Sequence, residues 1–101
     1  MIRAEKIDFC ELLDWFREAI RSDHEGDMKY VRGVDSCDNE YMFLVENSKS
    51  SLVRAHFAIE YNDGSIDKMH TLTIEKRASD SQIEDAFIEL HSVLIDNMLY
   101  Y

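Results

Sequence analysis

The sequence predicts an α+β two-layer sandwich, in which a helix, an antiparallel meander of three to four strands and a second helix follow one another. Three observations predict it: an N-terminal segment with helical spacing, a middle third that alternates with period two, and a final helical segment that opens with a capping signal. Both helices most simply pack on one face of the meander. We expect residues 1–101 to form a single α+β domain, because a chain of this length cannot bury two cores.

The first helix is predicted over about residues 4–22. Its apolar residues recur every three or four positions and therefore share one face: Phe9, Leu12, Leu13, Phe16, Ala19 and Ile20. Glu11, Asp14 and Glu18 occupy the opposite side, and we call these three residues the first ridge. The helix is expected to end within residues 22–27, where aspartate and glycine crowd together.

Four segments of the middle third read as strands, at residues 28–34, 40–46, 52–61 and 66–75. The last two flank Asp63-Gly64, a strong signal for a type I′ hairpin turn. That turn would pair Val53 with Ile74 and Tyr61 with Ile66. One face of the hairpin is then apolar with a single histidine in it, so a slip of one residue would destroy the pattern.

The last helix is predicted from Ser79 to about Leu99. Ser79 and Gln82 form a capping box, in which each side chain bonds the backbone N–H of the other residue. The centre of its apolar face consists of Ile83, Phe87, Leu90 and Leu94. Asp85, Glu89 and Asp96 occupy the narrow polar stripe that remains, and we call them the second ridge.

The net charge of −10, from 21 acidic and 11 basic residues, has a definite location. Residues 5–27 carry −5 and residues 78–101 carry another −5, whereas the strands between them are nearly neutral. Like charges four residues apart, such as Asp85 and Glu89, weaken a helix slightly, and Asp96 near a C-terminus opposes the helix dipole. A helix selected for stability alone would carry lysine at some of these positions.

This charge excludes some partners and favours others. An acidic chain is poorly suited to bind phosphates directly, so we expect no direct contact with nucleic acid or with a membrane surface. An anionic surface attracts a basic protein, so the predicted partner-binding residues are the two ridges: Glu11, Asp14, Glu18, Asp85, Glu89 and Asp96. The alternative is that these acids form a solvated face that only maintains solubility.

The residues that could carry chemistry are scattered. Cys10 and Cys37 form no zinc or redox motif and are expected to be reduced, and His56 and His70 fall on opposite faces of the predicted hairpin. Nothing resembles a nucleophile motif or a phosphate-binding loop. We therefore expect no catalytic residue, no metal and no cofactor.

The strand at residues 40–46 is apolar on both faces, since Tyr41-Met42-Phe43-Leu44-Val45 contains no polar side chain except the tyrosine hydroxyl. A sheet in a two-layer domain normally leaves one face in water. The second face is therefore expected to be covered by a homodimer partner or a target protein, or by one helix on each side of the sheet.

The favoured function is that of a non-enzymatic inhibitor or decoy whose ridges occupy a basic nucleic-acid-binding surface on another protein. Small acidic proteins of phages and mobile elements, such as anti-CRISPR inhibitors and DNA mimics, are similar to this chain in size and charge alone. Immunity proteins of nuclease toxins share the same properties and form one alternative.

A small acidic dimeric chaperone or adaptor is the second alternative, and it is favoured by the apolar second face of the sheet. A double-stranded RNA binder shares the element order, but the last helix lacks the basic cluster that would contact phosphates. An enzyme is the least favoured class. The N-terminal residues 1–6 lack the apolar block of a signal peptide, so we expect a cytoplasmic protein.

Overall fold

The computed structural model describes residues 8–99 and confirms the predicted α+β architecture. A helix, four strands and a second helix follow one another, and the strands form one antiparallel meander in the order β1-β2-β3-β4. The elements are α1 (Phe9–Arg21), β1 (Gly26–Val34), β2 (Glu40–Asn47), β3 (Leu52–Glu60), β4 (Ile66–Glu75) and α2 (Asp80–Leu99).

Both helices begin at side-chain caps. Asp8 accepts a hydrogen bond from the Cys10 N–H at 3.0 Å and caps α1, whereas the predicted start near residue 4 lies outside the described residues. At α2 the capping box is confirmed in both directions. The Gln82 N–H donates to the Ser79 hydroxyl at 3.2 Å, and the Ser79 N–H donates to the Gln82 side-chain oxygen at 3.0 Å.

The main core lies between the helices and one face of the sheet, as predicted. The helices contribute the apolar faces read from their periodicity, and the sheet contributes alternate residues of its central strands. Phe87 occupies the centre, with its ring centroid 5.1 Å from those of both Phe16 and Phe43. These three rings join α1, α2 and β2 in one packed cluster.

The β3–β4 hairpin keeps the predicted register near its open end and departs from it near the turn. Val53 pairs with Ile74 as expected, but Ile66 pairs with Glu60 and not with Tyr61. Met69 is an extra residue on β4 at this point, a β-bulge. Gly64 has a φ of 90° and closes a turn in which its N–H donates to the Tyr61 carbonyl at 2.9 Å. Asp63 has no positive φ, so the predicted type I′ turn is wrong.

A second irregularity lies on the opposite edge of the sheet. The pairing of β1 with β2 shifts between Val31 and Gly33, so that Arg32 is an extra residue in β1. Both edge strands of the sheet, β1 and β4, therefore carry a bulge.

The sheet face opposite the helices, which we call the open face, has a small buried centre of its own. Met42, Leu44 and Ala58 form this second cluster and are at most 2% exposed. Lys29 of β1 pairs with Glu60 of β3 at 3.2 Å, so this ion pair passes above β2 and its buried side chains.

A second ion pair on the open face joins Lys68 of β4 to Glu46 of β2 at 2.6 Å and passes above β3. Long side chains can cover apolar surface with their methylene stems while their charged ends reach water.

The expectation that one helix covers each face of the sheet is wrong, since both helices pack on the same face. Among residues 8–99 no helix is long and apolar enough to cross a bilayer.

Candidate functional site

The six predicted partner-binding residues all lie exposed on the outer surface of the helical layer. The reason is geometric, because successive residues of a helix are about 100° apart. Phe16 of α1 and Phe87 of α2 point into the core. A residue two positions from either phenylalanine lies on the far side of its helix, and this holds for four of the acids: Asp14, Glu18, Asp85 and Glu89. Glu11 and Asp96 lie on the same far sides.

The helices run antiparallel, so the two ridges lie side by side. Arg21 near the end of α1 contacts Asp80 at the start of α2 at 2.7 Å, and Phe9 at the start of α1 contacts His91 with ring centroids 5.4 Å apart. Packed helices have axes about 8–10 Å apart. The described helices with the Asp8 cap carry nine carboxylates and two arginines, a net charge of −7.

Two arginines neutralise this surface at one end. Arg17 lies 3.8 Å from Asp14, 4.0 Å from Asp80 and 3.8 Å from Glu84. Arg21 holds Asp80 and also donates to the Ala78 carbonyl at 3.0 Å. The hydrogen bond from Arg21 keeps the pKa of Asp80 below its ordinary value. These contacts involve Asp14, Asp80 and Glu84, so the two arginines neutralise only part of the negative charge of the helical layer.

Within residues 8–99, four of the six ridge carboxylates have no ion-pair partner: Glu11, Glu18, Asp85 and Asp96. Asp14 has the long contact with Arg17. Glu89 lies 2.6 Å from His70 Nε2, at the edge of β4, so one member of the second ridge is tied to the sheet. The sequence placed His70 and His56 on opposite faces of the hairpin but did not predict this contact, which depends on the placement of α2 over β4.

Basic side chains gather away from the ridges, at the end of the sheet near the β2–β3 turn. A shallow cleft there is lined by Arg21, Lys49, Lys76 and Arg77, together with Asp23 and two serines. Lys76 donates to the Ser48 carbonyl at 2.7 Å and so holds the turn. The molecule is therefore electrically asymmetric, a property that orients a protein as it approaches a charged partner.

A polar cluster surrounds His56, which the sequence placed on the hairpin face opposite His70 without predicting its burial. His56 is 2% exposed, and its Nε2 lies 2.5 Å from Glu46 Oε1. The Lys68 ammonium keeps the pKa of Glu46 below its ordinary value, so this carboxylate is ionised at neutral pH and faces a ring N–H. His56 Nδ1 then accepts from the Thr71 hydroxyl at 2.7 Å.

Burial lowers the pKa of His56 and outweighs the contact with Glu46, which acts to raise it. The imidazole is therefore neutral at pH 7, with the Thr71 hydroxyl bonded to Nδ1 and the Glu46 carboxylate beside Nε2. These contacts fix the side chain within the sheet, which is a packing role. The predicted hairpin register already sets Thr71 opposite His56, but no sequence signal identifies Glu46, because it comes from β2.

A second missed cluster lies in the β1–β2 loop, where Asp35 is 7% exposed. It accepts hydrogen bonds from the backbone N–H groups of Cys37 and Asn39, from the Asn39 amide and from the Tyr41 hydroxyl, all within 3.1 Å. Burial acts to raise the pKa of Asp35, but these hydrogen bonds together lower it below its ordinary value. Asp35 therefore organises the β1–β2 loop.

Residues 8–99 contain no group of three or more histidine, cysteine, aspartate or glutamate side chains placed to hold a metal ion. The site that the geometry brings together is thus the pair of ridges on the helical layer. Comparison with protein-family models, curated proteins and solved structures finds no match for this chain.

Proposed function

We propose that this chain is a non-enzymatic inhibitor or decoy that occupies a basic nucleic-acid-binding surface of another protein, as an anti-CRISPR or DNA-mimic protein of a phage or mobile element does. The observation that carries the proposal is the pair of parallel ridges on one surface, with four carboxylates that lack an ion-pair partner within residues 8–99. Charge that serves only solubility is not required to lie on one layer, so its concentration on the helical layer favours a binding role.

The arrangement of the charges in two lines also supports a mimic. Along a helix, each residue rises about 1.5 Å, so the first ridge is about 10 Å long and the second about 16 Å. DNA presents one phosphate per about 3.4 Å along each strand, in two separate lines. Three carboxylates in each ridge correspond to one charge per about 5 Å in the first and about 8 Å in the second. The two lines on adjacent helices therefore offer a basic cleft the two-line arrangement of the phosphates at a lower charge density.

The adaptor alternative loses the feature on which it rested, because the centre of the open face is already buried within the chain. The immunity-protein alternative predicts the same surface and differs only in the identity of the target, a nuclease toxin.

The test is capture of the target followed by competition with DNA. The chain is immobilised, incubated with bacterial lysate at low salt, and washed with a double-stranded DNA oligonucleotide. We expect DNA to release a protein that binds nucleic acid, and we expect capture to fall steeply as salt rises to about 0.5 M. Capture that persists unchanged at that salt concentration contradicts the electrostatic mechanism.

Charge-reversal variants locate the surface. Lysine replaces all three residues of the first ridge in one variant and of the second ridge in another. The control variant carries lysine at three exposed acids of the sheet, Asp27, Asp67 and Glu75, and so has the same net charge. We expect at least one ridge variant to lose the target without a lower melting temperature, while the control keeps it. Equal loss in all three variants would show that net charge alone matters.

A further inference from the structure

An uncharged stripe runs along α2 beside the second ridge. Ile88 and Ile95 are 46% and 38% exposed, although both are large aliphatic residues on a helix that contributes to the core. They are seven residues apart and hence on the same side of the helix, about 10 Å from one another. His91 lies between them, and burial lowers its pKa, so it adds no charge to the stripe at neutral pH.

The stripe lies between the two ridges. Glu84 and His91, on the same side of α2, contact Arg17 and Phe9 of α1, so this side of the helix faces α1. Exposed carboxylates of both helices therefore border the stripe near Ile88 and His91. Glu11 and Asp14 belong to α1, and Asp85 and Asp96 belong to α2.

We infer that this stripe receives the apolar face of a basic amphipathic helix on the target protein. The inference rests on the proposed function and names the kind of element that the surface fits. An amphipathic helix presents aliphatic side chains at intervals of three to four residues, with its charged residues on either side of that row. Lysine or arginine on both flanks would meet the two ridges, and the row between them would cover Ile88 and Ile95.

The two parts of this surface act at different stages of binding. Ridge carboxylates attract the basic helix over a distance, so they mainly set the association rate and its dependence on salt. The isoleucines lose contact with water only after docking, so they mainly set the dissociation rate. Burial of both half-exposed side chains corresponds to a gain in affinity of about tenfold or more.

The experiment uses two synthetic helical peptides of equal length and equal positive charge. One carries a row of leucines between its lysines, and the other carries glutamine at those same positions. Affinities for the full chain are measured by fluorescence anisotropy at physiological salt. We expect the leucine peptide to bind about tenfold more tightly, and we expect the double variant Ile88→Ser with Ile95→Ser to remove that difference.

Ile66→Ser is the matched control, since Ile66 is 42% exposed but lies on β4 next to the open face. This variant is expected to keep the preference for leucine. Equal binding of both peptides overturns the inference and leaves the electrostatic proposal intact. An equal loss in the Ile66→Ser variant also overturns it, because any exposed isoleucine would then suffice. If neither peptide binds even at low salt, the inference is overturned, and capture of a target that DNA releases then decides whether the proposed function stands.

Discussion

Replacement of Asn47 by alanine is expected to detach the C-terminal end of α1 from the sheet. Asn47 is the last residue of β2 and is 5% exposed. Its amide donates to the Ala19 carbonyl at 2.9 Å and to the Ser22 carbonyl at 3.0 Å. The last carbonyls of a helix have no partner within the helix, so one side chain here supplies hydrogen bonds to two of them.

The magnitude follows from what the substitution leaves behind. The Ala19 carbonyl is buried, and a buried acceptor without a donor costs about 1–3 kcal/mol. The bond to Ser22 is partly buried and contributes about 1 kcal/mol, since water can replace the lost donor. We expect Asn47→Ala to lower the free energy of unfolding by about 2–4 kcal/mol, or the melting temperature by about 10–20 °C.

The assay is urea unfolding followed by circular dichroism, together with a thermal scan. Asn62→Ala is the matched control, because the Asn62 amide donates to one carbonyl, that of Cys37, at an exposed site. Asn47→Asp is expected to be worse than alanine at neutral pH, since a carboxylate oxygen would face the two carbonyls. A loss below about 0.5 kcal/mol for Asn47→Ala, or a loss equal to that of the control, would refute the reasoning.

Three further predictions concern single residues. The folded protein holds the pKa of His56 below 6.5, so at acidic pH the unfolded chain binds more protons than the folded chain. The free energy of unfolding, measured in urea, should therefore decrease as the pH is lowered. His56→Gln should make stability less dependent on pH without removing the dependence, because burial lowers the pKa of His91 as well. An unchanged pH dependence would contradict the role given to His56. Ser79→Ala removes the cap of α2 and should cost about 1 kcal/mol in the same assay, whereas no loss would show that Gln82 alone suffices. Asp35→Ala should lower the melting temperature, since four donors lose their acceptor, and faster amide exchange confined to the β1–β2 loop should accompany it.

The elements of the fold were predictable because each carries a local signal. The spacing of the apolar residues in α1 and α2 follows from burial of one side of each helix. The capping box is recognised from the four consecutive residues that begin at Ser79. The register of the hairpin was correct where alternation is strict. It failed near the turn because Asp63-Gly64 is compatible with more than one turn type, and a bulge at Met69 compensates for the turn that is formed.

The exposure of the ridges was also predictable, because the same periodicity that buries Phe16 and Phe87 places acids on the outer surface. The contacts that modify the ridges were not, since Glu89 meets His70 across two elements that are distant in the sequence. The burial of His56 has the same origin. It depends on Glu46 and Lys68, which reach it from neighbouring strands on both sides.

The bulges in β1 and β4 have a consequence for self-association. An edge strand exposes a row of unpaired N–H and C=O groups that another chain can extend into a larger sheet. Arg32 and Met69 each interrupt that row, so an incoming strand cannot keep one register along the whole of either edge. A concentrated solution of this acidic chain should thus resist growth into fibrils through its sheet, even though four strands form most of its middle third.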